Sequence, residues 1–545
     1  MLRSDHWQIW LIKVCIILLP FLVFFPSLSN DFVALDDELL IIDNPTAKGL
    51  TMENVKRAFT TYDPELYIPL TLLTYQIEYL LFGEFKPFVV HATNLILHIV
   101  NALLVTVFVQ LLMRRSTHLF PVFCGLLFAI HPLVVETVVW GAARKDLLSS
   151  FFFLVSICSY LKWRENDNLH IFSLLAFTLG LLSKVSVVLL PIVLLLTDWL
   201  FSGYIDRKMI KEKWPYFALS TIFILIALFG KRAQVTDIGI IALLPFVSVP
   251  FYLQKFLIPI KLAILYPFTD GVELLNVRVL LGVLLMGGIT VWAWMQRKKN
   301  RLWMFVWLLF LLLLLPSFAN VLKGSDSGSF DIYFASDRYA YLAIIALLIL
   351  VGVAIERWRY LFFVMLPILP FFMWLTYQQS LVWQTSEKLF QNVIDNYGNS
   401  HLAYNNLAGF RAKEKRLSEA EDLYRKSLAV KENPRALFNL GRVLVVREKF
   451  GDAIPFFERY IELQPRDGHG YSQLGALVLI QGDMRRATEL LERGLELDFG
   501  IPELHYNLGV AYERLGRASD ARASYENALT VHPGYALALK KLGRK

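Results

Sequence analysis

The apolar runs of this chain restrict its fold more than any other feature, because many of them are as long as a bilayer is thick. Such runs occupy 7–28, 88–113, 119–140, 146–163, 214–230, 276–296, 302–320, 338–355 and 359–378. A longer one, 169–202, reads as two short spans broken at Ser183-Lys184. Roughly 20 apolar residues cross the hydrocarbon core, where a backbone must satisfy its own polar groups, so each run predicts a helix. Hydrophobic residues make up 56% of the 545, far above the soluble norm, and most of the chain is expected to lie in the lipid bilayer. Met1 to Lys13 carries charge at its start, but no small-residue cleavage site follows the first run, which therefore reads as an uncleaved span.

The basic residues set the orientation. Short loops at 114–118, 162–168, 203–213, 296–301 and 356–359 hold 14 Lys and Arg in 33 residues, among them "QRKKNR" and "YIDRKMIKEK". Loops of that kind stay in the cytoplasm. Keeping "QRKKNR" inside requires 239–260, with Pro245, Pro250 and Pro259, to enter and leave on one side or to lie along the surface. Eleven crossings follow when 169–202 counts as two. An odd number puts the N-terminus in the cytoplasm, and the loop after the first span and everything beyond 378 outside. Membrane orientation thus accounts for the net charge of +8, and nucleic acid is not an expected partner. The three cysteines, Cys15, Cys124 and Cys158, lie inside apolar runs, which argues against a disulfide framework or a thiolate metal site.

From about 401 the apolar residues thin out and a period of 34 appears. Gly441, Gly475, Gly509 and Gly543 keep it, as do Ala453, Ala487 and Ala521, with Ala420 one residue short. That period and its small residues at helix crossings are those of tetratricopeptide repeats. The expected fold class is all-α: a polytopic membrane bundle followed by a repeat solenoid. Its divisions are a transmembrane domain over 1–378 with a first outer loop at 29–87, a connecting helix at 379–400, four repeats at 401–433, 434–467, 468–501 and 502–535, and a capping helix beginning at 536–545.

Chemistry enters with "NDFVALDDELLIIDNP", which sets Asp36, Asp37 and Glu38 side by side after the first span. An acidic run at a membrane surface is ordinarily a solvated turn. Here Phe32, Val33, Leu35, Leu39, Leu40, Ile41 and Ile42 flank it, so ionisation is penalised and one of these carboxylates is a candidate general base. Cations stand on the same expected side. "WGAARKDLLSS" places Arg144, Lys145 and Asp146 at the outer end of the third span, "LLSKVS" places Lys184 at the break, and "ASDRYAY" places Arg338 and Tyr339 at another outer end. Charges within spans are rare and tend to be functional, although Lys and Arg near span ends also snorkel.

A carboxylate facing several cations at a lipid surface suits displacement from a lipid-linked phosphate. Fixed Arg and Lys stabilise the departing phosphate, which needs no general acid, whereas the incoming hydroxyl needs a base. The implied reaction moves a sugar from a polyprenyl phosphate to an acceptor hydroxyl, and a single base favours inversion. His91, Asn94, His98 and Asn101 form one polar stripe down the second span, readable as interhelical glue or as a substrate contact. His131 and Glu136 on the next span are candidate partners of that stripe. No His, Cys and carboxylate spacing points to zinc. A divalent cation bridging Asp37 or Glu38 to the donor phosphate is left open by the residues.

The motif order "DD...NP", "YIPLT", "HATNLILH", "HPLVVETVVWGAARKDLL", "LLSK...LP...D" and "SDRYAYL", followed by the repeats, resembles the transmembrane and tetratricopeptide repeat-containing O-mannosyltransferases and their bacterial relatives. Those are C-type (GT-C) glycosyltransferases. The resemblance covers nearly the whole chain and implies a GT-C-type bundle, catalysis by the outer-loop acidic pair, and a polyprenyl-phosphate sugar as donor, mannose in the eukaryotic members. It would make Asp36 or Asp37 the base and set Arg144, Lys184 and Arg338 against the donor phosphate. Two departures stand out. Lys184-Val185 replaces the usual "SKE", and Asp337-Arg338-Tyr339 replaces "ERY", so a metal or second-acid role does not carry over to Val185.

Asn406, Asn439, Gln473 and Asn507 are sixth in their repeats and should line one groove wall, where side-chain amides can meet the backbone of an extended acceptor polypeptide. Hydrogen bonding within the repeat is the competing reading. The competing functions are a membrane-anchored repeat scaffold for a cell-envelope complex, a lipid-sugar flippase, and a GT-C enzyme acting on a glycolipid or polysaccharide. Outer segments without an Asn-X-Ser/Thr site, Asn44 being followed by Pro45, lean toward a bacterial inner membrane.

Overall fold

The structure is a computed structural model that describes residues 5–62, 66–113, 119–164, 171–230, 238–268, 272–318, 322–324, 330–332, 334–358, 360–365 and 367–544. The basic loop 114–118 lies outside the described residues, as do 165–168 and 359 of two other basic loops, 169–170 and 319–320 of two apolar runs, and Lys545. The chain divides into two compact units, Met1–Lys323 with Ile332–Asn396, and Gly324–Asp331 with Tyr397–Lys545.

The first unit is helical. Among the described residues, five of its helices are long and apolar enough to cross a membrane, or six if Phe120–Ile130 and Pro132–Val139, bent by 56° at His131, form one broken span. The break expected at Lys184 is present. Ile171–Ser183 ends there, Lys184 is extended with φ −165° and ψ 133°, and a 3-10 turn Val185–Val187 leads into Leu190–Ser202. The stretch 239–260 forms Ile238–Leu243 and Pro245–Leu257, which by length and composition together could cross. Phe246 abuts Gly282 so closely that a Cβ there would meet its carbonyl oxygen at 1.7 Å, Ser248 Oγ donates to Phe334 O, Tyr252 Oη donates to Ser336 O at 3.0 Å, and Phe256 O meets His131 at 3.1 Å.

The first outer loop is folded rather than open. It holds a π-turn at Glu38–Ile42 and helices Met52–Thr60 and Pro69–Phe82. Thr51 caps the former by accepting from Asn54 N, and Gly83, at φ 74°, ends the latter in the left-handed region that glycine tolerates. Pro69–Phe82 buries Thr71, Leu72, Tyr75, Gln76 and Glu78, so it belongs to the core.

In the second unit, helix pairs repeat at His401–Lys413 with Leu417–Val430, Pro434–Val446 with Phe450–Leu463, Gly468–Gln481 with Met484–Leu497, and Pro502–Arg514 with Ala518–Val531. The small residues do mark crossings. A Cβ on Gly441, Gly475 or Gly509 would meet Phe457, Leu491 or Tyr525 at 2.7, 2.6 and 2.5 Å, and Ala420, Ala453, Ala487 and Ala521 are buried. Gly543 keeps the spacing but not the role. It follows the short helix Ala536–Lys541 at φ 66° with open space around it. Two short strands, Leu322–Gly324 and Phe330–Ile332, are the exceptions to the all-α fold among the described residues.

Candidate active site

The acidic triplet separates on folding. Asp37 is buried, its Oδ2 accepting from Val33 N at 3.0 Å and its Oδ1 from Ala142 N at 2.7 Å. The second bond joins the loop to "WGAARKD", and it needs Gly141. A Cβ there would lie 3.1 Å from Asp37 Oδ1. Gly141 O in turn accepts from Tyr75 Oη at 2.8 Å, which ties in the helix Pro69–Phe82. Burial pushes the Asp37 carboxyl up to about 7 from an ordinary 3.8; the N–H groups of Val33 and Ala142 pull it down, Asp36 raises it, and Lys145 lowers it. Asp36 is half-exposed, with Oδ2 3.5 Å from Lys145 Nζ. Glu38 is exposed. The apolar flanks therefore enclose Asp37 alone. Both oxygens of Asp37 thus take backbone N–H groups, and Glu38 stands in solvent. Among the described residues no group of three or more His, Cys, Asp or Glu side chains is placed to hold a metal.

Three of the four cations gather. Lys145 lies within electrostatic reach of Asp36, Lys184, Asp146 and Arg338. Lys184 Nζ donates to Asp146 Oδ1 at 2.5 Å and stands 5.9 Å from the Tyr339 ring. Arg338 Nη1 meets Glu136 Oε1 at 2.5 Å and lies 4.9 Å from the rings of both Trp140 and Tyr339. Lys145 Nζ also lies over Trp140, 5.6 Å from its ring. A cleft beside them is lined by polar Asp146, Ser149, Lys184, Ser186 and Arg338 and by apolar Phe153, Val187, Leu190, Leu312 and Leu313. Asp146 Oδ2 has no hydrogen-bond partner and is buried.

Arg144 is not part of this group. It is 0% exposed, and its guanidinium is consumed by Glu78 Oε1 at 2.8 Å, Asn94 Oδ1 at 2.7 Å and Val90 O at 2.9 Å, with the Tyr75 ring at 4.9 Å. With these partners and no exposure, Arg144 is placed as a buried anchor between helices and not beside the other three cations. The stripe on Pro87–Leu112 is also interhelical. Asn94 Nδ2 donates to Trp140 O at 2.9 Å, His98 bridges Tyr341 Oη at 2.9 Å and Ala129 O at 3.0 Å, and Asn101 Nδ2 donates to Leu147 O at 3.0 Å. All are fully buried, in keeping with the reading of the stripe as interhelical glue. His91 is buried against Phe32, with neither ring nitrogen in a hydrogen bond of ordinary geometry.

His131 and Glu136 do not meet the stripe. His131 stacks on Phe256 at 5.2 Å and bonds its carbonyl, closing the bend before Pro132. Glu136 holds the Arg338 turn instead, accepting from Ser336 Oγ at 2.7 Å and Asp337 N at 2.9 Å as well as from Arg338. Sequence reasoning missed Trp140, Gly141 and Glu78. The first two lie inside a quoted motif, but their task is set by residues far along the chain, and Glu78 sits on a helix hidden in what read as a loop.

In the repeats, Asn406, Asn439, Gln473 and Asn507 are each half-buried at one register position of the first helix of a pair, and among the described residues no hydrogen bond within the repeat engages their side chains.

Residues 69–229, which hold Arg144, Lys145, Asp146 and Lys184, match the family of dolichyl-phosphate-mannose-protein mannosyltransferases, and 502–535 match the tetratricopeptide repeat. The human protein O-mannosyl-transferase TMTC3 is 37% identical over 117 residues, 22% of this chain and 12% of that protein. Human TMTC4 is 32% identical over 160 residues, 26% of this chain and 22% of its own. The chain thus aligns with less than a quarter of the length of these two relatives. The crystal structure of YrrB, a tetratricopeptide-repeat protein with an unusual peptide-binding site, covers 29% of this chain and 82% of its own at 24% identity and a TM-score of 0.27. The chain is thus similar over 69–229 to the dolichyl-phosphate-mannose-protein mannosyltransferases, over 502–535 to the tetratricopeptide repeat, and in part to the human protein O-mannosyl-transferases TMTC3 and TMTC4.

Proposed function

We propose that the protein is an inverting glycosyltransferase that moves a hexose from a polyprenyl phosphate to a hydroxyl, on Ser or Thr of an acceptor protein recruited by the repeats. The observation that carries this reading is the convergence of Asp36 with Lys145, Lys184 and Arg338 around Trp140 and Tyr339. Asp36 is the base. It is half-exposed, whereas Asp37 has both oxygens engaged and is buried, which suits Asp37 to holding the loop against Ala142.

The donor phosphate lies in the cleft against Lys184 and Arg338, and the isoprenoid continues along Phe153, Val187 and Leu312. Each cation already faces a carboxylate, Asp36, Asp146 or Glu136. These pairs keep the ammonium and guanidinium groups oriented at the position where charge develops on the leaving phosphate, so little reorganisation accompanies reaction. A bacterial inner membrane with the site facing the periplasm fits the charge of the loops and the Asn44-Pro45 step.

Mass spectrometry of envelope proteins from cells with and without the protein tests this reading. Loss of a hexose from Ser or Thr supports it, and an unchanged glycan profile favours the scaffold.

A further inference from the structure

The segment between the last apolar helix, Ile368–Val382, and the helix Ser386–Tyr397 touches both sides of the candidate site. On the carboxylate side, Ala34 N donates to Ser386 Oγ at 2.7 Å, Asp31 N to Gln384 O at 3.1 Å and Asn30 Nδ2 to Ser380 O at 3.4 Å. These bonds hold the loop two residues before Asp36. On the cation side, Leu262 O accepts from Asn392 Nδ2 at 2.9 Å and from Gln379 Nε2 at 3.3 Å. The next residue, Ala263, donates its N–H to Tyr266 Oη at 3.2 Å, and that hydroxyl donates to Asp337 Oδ1 at 2.7 Å, beside Arg338. Between the two branches, the buried Trp383 packs 5.9 Å from Trp140, the ring on which Lys145 and Arg338 rest.

We propose that Ser386 and Asn392 are positioning residues, which fix the separation between the Asp36 carboxylate and the Arg338 cation from one short rigid segment. The proposal rests on the transferase reading above. Neither side chain enters the cleft, so both act through the residues they hold: Ser386 through Ala34, and Asn392 through Leu262, Tyr266 and Asp337. Without the Ser386 hydroxyl, the half-buried Ala34 N–H has no partner, and the 33–37 turn is free to move by the fraction of an ångström that catalysis registers. Leu262 O keeps Gln379 when Asn392 is lost, so the cation side is the more tolerant of the two.

The test uses the full chain in proteoliposomes with undecaprenyl-phosphate mannose and a Ser/Thr-rich peptide. Ser386→Ala is expected to lower kcat by about tenfold or more with donor KM within about twofold, and Ser386→Thr, which keeps a hydroxyl, to restore most of it. Asn392→Asp, isosteric but without the amide donor, is expected to give a smaller loss of the same kind. Hydrogen exchange read on the same samples should show faster exchange at 33–37 in Ser386→Ala, recovered in Ser386→Thr, with the spans unchanged. Unaltered exchange at 33–37, or a loss spread evenly over kcat, KM and the whole membrane unit, overturns the proposal. If the wild type itself transfers nothing from that donor, the transferase reading fails, and exchange at 33–37 still decides whether Ser386 holds the loop.

Discussion

Arg144 and Lys145 are sequence neighbours that part company on folding: Arg144 Nη1 is locked to Glu78 at 2.8 Å with no solvent exposure, while Lys145 Nζ stands 3.5 Å from the half-exposed Asp36. One residue of rotation at the start of the helix Arg144–Trp163 separates a cation buried on Glu78 from one that faces Asp36.

That divergence predicts opposite phenotypes. Arg144→Ala strands the buried Glu78 carboxylate and should cost about 3 kcal/mol or more, visible as a lower melting temperature and poor yield in detergent. Lys145→Ala should leave the melting temperature near that of the wild type and lower kcat/KM on the order of 10²-fold. A stable, donor-defective Arg144→Ala would return Arg144 to the phosphate site.

Asp37 predicts a pH dependence of the loop. Its folded carboxyl, raised to about 7 by burial against an ordinary 3.8, binds more protons in the folded state than in the unfolded state between those values. Stability from this group is therefore present at low pH and is lost as pH rises through about 7. Exchange protection at 33–37 should fall between pH 5 and pH 8, values chosen on either side of that midpoint. Asp37→Asn should flatten the profile while weakening the loop at every pH, because its amide presents N–H to one of the two backbone donors. A wild-type profile that rises over the same interval contradicts the assignment.

The half-buried amides of the repeats predict an effect confined to the acceptor. The double variant Asn439→Ala, Asn507→Ala removes two groups that, among the described residues, no bond within the repeat engages, so folding should be unaffected. Acceptor KM should rise about tenfold, as expected for two lost hydrogen bonds, with donor hydrolysis unchanged. A fall in both by the same factor would assign these residues to the repeat's own packing.

What was legible in the sequence follows from range. The repeats show because each glycine meets a residue 16 positions on, as Gly441 meets Phe457 and Gly475 meets Leu491, so the constraint recurs at a fixed spacing. Lys184 shows because a cation inside a long apolar run is costly wherever its partner lies. The carboxylate triplet stands out in the sequence as a candidate, but not which member is enclosed, since that depends on the Ala142 N–H and the absent Cβ of Gly141 arriving from another stretch of the chain. His98 and Asn101 share a face at helical spacing, which reveals that they bond across helices but not that Tyr341 and Leu147 receive them.

The central claim is that Asp36 acts as base toward an acceptor hydroxyl beside Lys145, Lys184 and Arg338. It is tested most directly by transfer of labelled mannose from undecaprenyl-phosphate mannose to a Ser/Thr-rich peptide by the wild type and Asp36→Asn in proteoliposomes. A fall in kcat of about 10²-fold or more is expected for Asp36→Asn, with donor binding and melting temperature retained. Transfer by Asp36→Asn at the wild-type rate would contradict it.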